Sequence, residues 1–185
     1  MKELTKKGKT INLIIALVLI LIGVTLRFIP HAPNFAPIAT IALFGGVYLS
    51  KRIALILPVL AMLVSDIFIG FYDPKLMISV YGSFLLFVAL GFWLKSHKKW
   101  YTIAGGTVLS ALLFFLITNF AVWAFSPWYT KNLLGIIQCY SMAIPFFRNT
   151  LLGNLFYTTI FFGSYELIHI WVSNRFGIKK SFAYA

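Results

Sequence analysis

Acidic residues are scarce in this chain, which has four Asp and Glu against 16 Lys and Arg among its 185 residues and carries a net charge of +12. Only 11% of the residues are charged, whereas 61% are hydrophobic and 18% are aromatic. A water-soluble domain of ordinary composition cannot bury that much apolar surface. A nucleic-acid partner would need basic residues interleaved on one folded face, but here they form short clusters between apolar runs. The composition therefore argues against nucleic acid as a partner and indicates a membrane protein.

Cysteine and the common catalytic motifs are also nearly absent. The single cysteine, Cys139, cannot form an internal disulfide, and a lone cysteine is more often a small buried hydrophobe than a metal ligand. The sequence has no nucleophile elbow, no zinc-protease helix motif, no phosphate-binding loop and no dinucleotide fingerprint. We therefore expect neither an enzyme nor a bound metal or cofactor, and any energy for active transport must come from another subunit.

Six apolar segments follow one another along the chain and predict an all-α membrane protein with one integral membrane domain over residues 1–185. The predicted spans are about 11–29, 36–50, 53–71, 76–94, 102–125 and 150–172. A helix rises about 1.5 Å per residue and the hydrocarbon core is about 30 Å thick, so the second segment is short and needs help from its flanks. The first run lacks a small-residue cleavage site and is expected to be a retained span rather than a signal peptide.

The distribution of lysine and arginine predicts the orientation. With six spans and a cytoplasmic N-terminus, most basic residues fall on the inner side, as the positive-inside rule requires. The inner residues are Lys2, Lys6, Lys7, Lys9, Lys51, Arg52, Lys95, Lys98, Lys99, Arg175, Lys179 and Lys180. The outer ones are Arg27, Lys75, Lys131 and Arg148. Both termini of this multi-pass protein are therefore predicted to face the cytoplasm.

Polar residues other than lysine gather at the outer ends of the predicted spans. Such groups are costly at membrane depth unless they face protein or a water-filled cavity. Their positions predict a pocket that opens to the outside and binds a small molecule. The candidate substrate-binding residues are His31, Asn34, Asp66, Asn119, Trp123, Tyr140, Arg148 and Asn154.

The first outer connection contains Pro30, Pro33 and Pro37, so it cannot form a continuous helix. Irregular backbone near membrane depth is tolerated only where protein or a cavity covers it. We expect a stiff loop that dips into the outer mouth of the pocket. The alternative is an ordinary connection whose prolines merely end one helix and start the next.

The second irregular region, 126–149, is too long for a tight connection and too apolar to extend into water. It predicts a short helix and a turn that pack across the outer face as a lid. Trp123 and Tyr140 are the aromatic residues nearest the polar cluster and could stack on a planar ligand. Tryptophan and tyrosine are also enriched at membrane interfaces of every class, which is the more ordinary interpretation.

Two acidic residues within the predicted spans have alternative interpretations. Asp66 is either a ligand-binding carboxylate or a structural one, capped by backbone or paired with Arg148. Glu166 precedes His169 by three residues on one helical face near the cytoplasm. That spacing favours a local pair over a proton relay, since no third titratable group can be placed beside them from sequence.

A resemblance to a known family is carried by four stretches: PHAPNFAPIATIALFGGVYL, LPVLAMLVSDIFIGFYDP, FFLITNFAVWAF and GIIQCYSMAIPFFRNTLLGNLFYTTIFFGSYE. Over roughly residues 22–172 the sequence resembles small bacterial integral membrane proteins classed as transport proteins of unknown specificity. That family is similar in size and layout to the substrate-capturing S components of energy-coupling-factor (ECF) vitamin transporters. The resemblance implies a multi-pass protein of the bacterial inner (plasma) membrane.

The S-component likeness also implies a particular architecture and set of partners. It implies a six-helix bundle with irregular outer loops, a ligand pocket near the outer surface, contact with membrane lipid, and a cytoplasmic contact with a coupling subunit driven by two ATPases. The sequence departs from that pattern in two places. The Ala-x-x-x-Ala docking motif of the first helix is replaced by Ala16 followed by Ile20, and Asn154 stands where an acidic residue is expected in relatives.

Three functions stay open on the sequence. The preferred one is capture of a small, vitamin-like micronutrient for uptake. A membrane-embedded enzyme acting on a lipid-like substrate is the first alternative, and it needs two of Asp66, His31 and Arg148 within about 3 Å of a reacting atom. A structural or assembly factor is the second, in which small-residue faces bind other helices. Those faces are Ala42 with Gly46 and Gly106 with Ser110.

Overall fold

The computed structural model describes residues 2–26, 29 and 32–176, and every regular element in these residues is an α-helix. The six helices are α1 (Lys2–Leu26), α2 (Ile38–Tyr48), α3 (Lys51–Ile69), α4 (Pro74–Ser96), α5 (Trp100–Phe125) and α6 (Leu133–Phe176). The all-α fold expected from the sequence is therefore confirmed.

Within the described residues, three helices are long and apolar enough to cross a membrane: α3 with 19 residues, α4 with 23 and α5 with 26. The predicted spans at 53–71, 76–94 and 102–125 match these helices to within about two residues at each end. The predicted span at 36–50 is different, because α2 has only 11 residues and rises only about 16 Å. That length does not cross a hydrocarbon core of about 30 Å.

The short helix α2 lies at the centre of the bundle. Its residues Ile38–Val47 are all buried, and α1, α3, α4, α5 and α6 all contact it. A helix that is apolar on every side must be covered on every side, which explains why α2 shows no polar face. Its closest approach is to α4, where a Cβ built on Gly46 would lie 2.8 Å from the Cα of Gly91. Only glycine at both positions permits this crossing.

The small-residue faces that the sequence offers for contact with other proteins are covered within this chain. Gly46 faces α4, Ala42 is fully buried, and a Cβ built on Gly106 would lie 2.7 Å from the Leu94 side chain. Ser110 is buried and donates its hydroxyl to Gly106 O. These faces therefore pack the bundle itself.

Helix α6 differs from the expected lid and sixth span. It runs unbroken for 44 residues, about 66 Å, and only residues 126–132 form a connection after α5. Residues 133–149 are its first turns and pack along α5, where the Phe115 ring lies 5.3 Å from Tyr140 and 4.9 Å from Phe147. Pro145 lacks one amide donor, and the aromatic packing against α5 holds the helix together around it.

A hydrogen-bonded cluster identifies one end of the bundle. Lys98, in the α4–α5 connection, donates to Glu166 Oε1 of α6, and the Tyr48 hydroxyl at the end of α2 donates to the same atom over 2.6 Å. We call this the basic end, because it carries Lys51 and Arg52 at the start of α3, Lys95 near the end of α4, and Lys98 and Lys99 in the α4–α5 connection. The opposite end, formed by residues 32–37, 70–73 and 126–132, is the loop end.

The same cluster adds two partners to the expected Glu166–His169 pair. Glu166 takes its hydrogen bonds from Lys98 and Tyr48, whereas the His169 ring stacks on Tyr165 with centroids 6.2 Å apart. Lys98 is 68 residues away from Glu166 in sequence, so local spacing could not reveal it.

Candidate functional site

The loop before α2 is fastened to α6. Asn149 Nδ2 donates to Pro33 O over 3.1 Å, and the Phe35 ring lies 5.6 Å from Tyr157. Gly153 makes room for this contact, because a Cβ there would lie 3.1 Å from the Phe35 Cα. The end of the loop is thus covered by protein, with Pro37 buried and Phe35 and Ala36 half-buried, whereas residues 32–34 are exposed. Cover of this kind is the condition for irregular backbone at membrane depth.

A tight turn shapes the tip of this loop. Phe35 N donates to Ala32 O over 2.9 Å, and Asn34 adopts a positive φ of 64°. Asparagine tolerates this left-handed conformation better than most residues, because its side chain can bond locally. The turn sets Asn34 against two cavities inside the loop end.

The larger space, which we call the main cavity, has a volume of about 320 Å³. It lies between the loop, the first turn of α2, and helices α3 to α6. Its walls are mostly apolar, and a few amides and hydroxyls break them. The lining residues are Asn34, Ala36, Ile38, Ala39, Met62, Ile69, Tyr72, Val80, Phe84, Phe114, Thr150 and Asn154.

A second space, the side cavity, adjoins the first between α4, α5 and α6 and has a volume of about 220 Å³. The two cavities share Asn34, Val80, Phe114 and Thr150. The side cavity adds Phe115, Thr118, Asn119, Val122, Ala143, Phe146 and Phe147. A small organic ligand with an apolar body fits spaces of this size and lining.

Asn154 is the most unusual residue of the main cavity. It is only 2% exposed, and its Nδ2 atom is buried with no hydrogen-bond partner among the residues that the structure describes. Its backbone carbonyl, by contrast, accepts a hydrogen bond from the Thr40 hydroxyl over 3.3 Å. A buried amide donor without an acceptor costs about 1–3 kcal/mol, so a molecule in the cavity that supplies an acceptor would be stabilised there.

A chain of buried threonine hydroxyls lies beside Asn154. Thr40 Oγ1 is 3.3 Å from Thr158 Oγ1, which in turn accepts from Thr107 Oγ1 over 3.1 Å. These hydroxyls join α2, α5 and α6. The sequence did carry a signal for part of this region, since Thr150, Asn154 and Thr158 recur every four residues on one face of α6.

Three of the eight residues predicted from sequence line the cavities. Asn34 lines both, Asn154 lines the main cavity, and Asn119 lines the side cavity. The Asn119 Nδ2 atom already donates to Phe115 O over 2.7 Å, so that amide is partly satisfied within its own helix. Tyr72 and Thr150, which the sequence interpretation missed, also line the main cavity.

Four predicted residues lie away from both cavities. Trp123 Nε1 donates to Thr130 O over 3.0 Å, and the Tyr140 hydroxyl donates to Leu116 O over 2.6 Å, so both fasten α6 and its connection to α5. Asp66 is buried and accepts from the Tyr81 hydroxyl over 2.6 Å, which ties α3 to α4. Arg148 is exposed and forms no ion pair with Asp66. The eighth residue, His31, lies outside the described residues.

Metal-ligating side chains do not cluster in the part of the chain that the structure describes, where no three His, Cys, Asp or Glu residues come together. Cys139 is buried, and its Sγ atom donates to Asn119 O over 3.4 Å. Asn34, Thr150 and Asn154 remain as the polar residues positioned to contact a molecule in the main cavity.

The fold and the cavity define an all-helical protein with helices suited to a membrane and a small-molecule-sized space at one end. The chain belongs to a family of unknown function, DUF6580, whose model matches residues 7–176. No curated protein and no solved structure matches the chain. The family description names no activity, so transport and the likeness to S components stay predictions.

Proposed function

We propose that this protein is the substrate-capturing subunit of a membrane uptake system, and that it takes a small, vitamin-like micronutrient from outside the cell into the main cavity. The observation that carries the proposal is the buried Nδ2 atom of Asn154, which has no partner among the described residues and belongs to a residue that lines a cavity of about 320 Å³. A donor left without a partner in an otherwise well-bonded interior favours a site for a ligand over a packing role.

The distribution of charge supports an orientation with the cavity outside. The basic end carries lysine or arginine at the start of α3, near the end of α4 and in the α4–α5 connection, and the positive-inside rule assigns such an end to the cytoplasm. Both termini then face inward, and the loop end with the main cavity faces the exterior of the inner (plasma) membrane.

Six crossings are compatible with the short α2. Residues 32–37 lie at the loop end and Tyr48 lies at the basic end, so this segment passes from one end to the other as an irregular loop followed by a buried helix. Surrounding helices bury α2 and the end of the loop at Pro37, as membrane depth requires, whereas residues 32–34 are exposed at the loop end. Helices α1 and α6 complete the proposed bundle.

The alternatives have less support from the geometry. An enzyme built on Asp66 and Arg148 would need both groups at one reacting atom, but neither lines a cavity. An assembly factor would need free small-residue faces, whereas those of α2 and α5 pack against α4 within the chain. The chain carries no ATP-binding motif, so the proposed partner for energy is a separate coupling subunit with ATPases.

The proposal is tested with vesicles of defined sidedness. Right-side-out and inside-out membrane vesicles that contain the chain are incubated with a small-molecule extract of growth medium, washed, and extracted for mass spectrometry. We expect a specific small molecule to be retained by right-side-out vesicles and lost with Asn154→Leu, whereas Asn174→Leu, an equivalent change at an exposed position outside both cavities, retains it. Equal retention by both kinds of vesicle, or by vesicles without the chain, would contradict it.

A further inference from the structure

The main cavity is bordered by hydrogen-bond donors that have no acceptor among the described residues. Besides the Asn154 amide, the first turn of α2 lies on this cavity through Ile38 and Ala39. Its N-cap residue is Pro37, which forms no side-chain capping bond. The described residues supply no hydrogen-bond acceptor for the backbone amides of 38–40, and these three residues are buried.

An uncapped helix start of this kind attracts hydrogen-bond acceptors. The first amides of a helix have no partner within the helix, and the helix dipole adds partial positive charge at that end. With 11 residues, α2 is long enough to have both the free first amides and the helix dipole. Asn154 lines the same cavity and provides an independent donor, because its Nδ2 atom has no partner among the described residues.

The described residues in the walls of both cavities carry no formal charge. None of the residues that line them is Lys, Arg, His, Asp or Glu. A ligand ammonium would find only uncharged acceptors among the described lining residues, such as the Thr150 hydroxyl, and no carboxylate to pair with, which is unfavourable in a largely apolar space. An oxygen acceptor would satisfy the donors without any counter-ion.

We infer that the captured molecule places a carbonyl or carboxylate oxygen between Asn154 Nδ2 and the start of α2, with its apolar body against Met62, Phe84 and Phe114. This inference rests on the proposed capture function and narrows its substrate class to compact apolar molecules that carry an oxygen acceptor. Amines of the same shape are rejected.

A matched probe series tests this class on the full chain in nanodiscs. The probes are 3-phenylpropionate, 3-phenylpropionamide and 3-phenylpropylamine, which share an apolar body and differ in the polar group. Ligand-observed NMR measures their binding. We expect 3-phenylpropionate, 3-phenylpropionamide or both to bind, and 3-phenylpropylamine not to bind. Comparison of the first two probes shows whether the site prefers an anionic or a neutral oxygen acceptor.

Two substitutions at one residue make the test specific. Asn154→Leu removes the donors at similar volume and is expected to weaken oxygen-probe binding about tenfold, whereas Asn174→Leu leaves it unchanged. Asn154→Asp keeps the shape but replaces the N–H donors with a carboxylate. This variant is therefore expected not to bind 3-phenylpropionate and to bind 3-phenylpropylamine.

The outcomes separate this inference from the capture function. Amine binding to the wild type, or oxygen-probe binding that is unaffected by both Asn154 variants, would overturn the acceptor assignment. If right-side-out vesicles still retain a specific molecule in that case, the proposed capture function stands and only the acceptor assignment is wrong. Failure of all three probes together with no retained molecule would contradict both.

Discussion

Gly46 of α2 and Gly91 of α4 meet where their helices cross, and a Cβ built on either glycine would lie 2.8 Å from the Cα of the other. Side-chain carbons do not approach backbone that closely, so the central helix keeps its position only while both residues are glycine. Since α2 also provides one wall of the main cavity, this contact links the stability of the bundle to the shape of the site.

Gly46→Ala is therefore expected to destabilise the protein by about 1–3 kcal/mol, because the added methyl group forces α2 and α4 apart. The midpoint of thermal unfolding in detergent measures the effect. Gly82→Ala is the matched control on α4, because a Cβ there meets nothing within 4 Å. It is expected to be neutral or stabilising by up to about 1 kcal/mol, since alanine favours helix. Unfolding of both variants at the same temperature would contradict the predicted crossing.

Tyr48→Phe is expected to cost about 1 kcal/mol, because the phenol loses its hydrogen bond to Glu166 at the basic end. Tyr101→Phe is the control, since Tyr101 is exposed and its hydroxyl forms no comparable bond. In combination with Glu166→Leu, which removes the acceptor, Tyr48→Phe should have little further effect. Additive losses would show that the two side chains act independently.

Gly153→Val is expected to reduce ligand retention without preventing membrane insertion. The new side chain pushes on Phe35, which holds the loop that carries Asn34 to the cavities. Gly163→Val makes the same change on the same helix where a Cβ meets nothing within 4 Å, and it should retain the ligand. Retention is measured on right-side-out vesicles, and insertion by membrane fractionation. Loss of retention in both variants would point to a general effect of valine in α6.

Single cysteines test the proposed orientation. In a Cys139→Ala background, Pro127→Cys places a thiol at the exposed loop end and Ser96→Cys places one at the exposed basic end. A membrane-impermeant maleimide added to intact cells is expected to label the first and to reach the second only after permeabilisation. The reverse pattern would place the main cavity on the cytoplasmic side.

The sequence predicts α3, α4 and α5 well because each is an apolar run bounded by turn or charged residues. It predicts α6 poorly because Pro145 and the polar residues around 126–149 are typical of a break, whereas packing of Phe115 against Tyr140 and Phe147 keeps this region helical. Local patterns carry no information on such contacts between distant helices.

The residues of the candidate site were likewise only partly predictable from the sequence. Asn34 and Asn154 could be picked out because amides are unusual at membrane depth, and both line the main cavity. Asp66 is equally unusual at membrane depth, but it accepts a hydrogen bond from Tyr81 of α4. Trp123 and Tyr140 donate to Thr130 O and Leu116 O rather than lining a cavity. The rotation of each helix about its axis decides which polar residues converge. Packing of the whole bundle sets this rotation, and the sequence of a single helix does not reveal it.

Native mass spectrometry of the protein released from nanodiscs, after gentle purification from its own membranes, tests the central claim most directly. The mass of wild-type protein is predicted to include one bound small molecule in stoichiometric amount. Asn154→Leu is predicted to lack this molecule, and Asn174→Leu is predicted to retain it. Wild-type protein that carries lipid alone, with spectra identical to those of Asn154→Leu, would contradict capture in the main cavity.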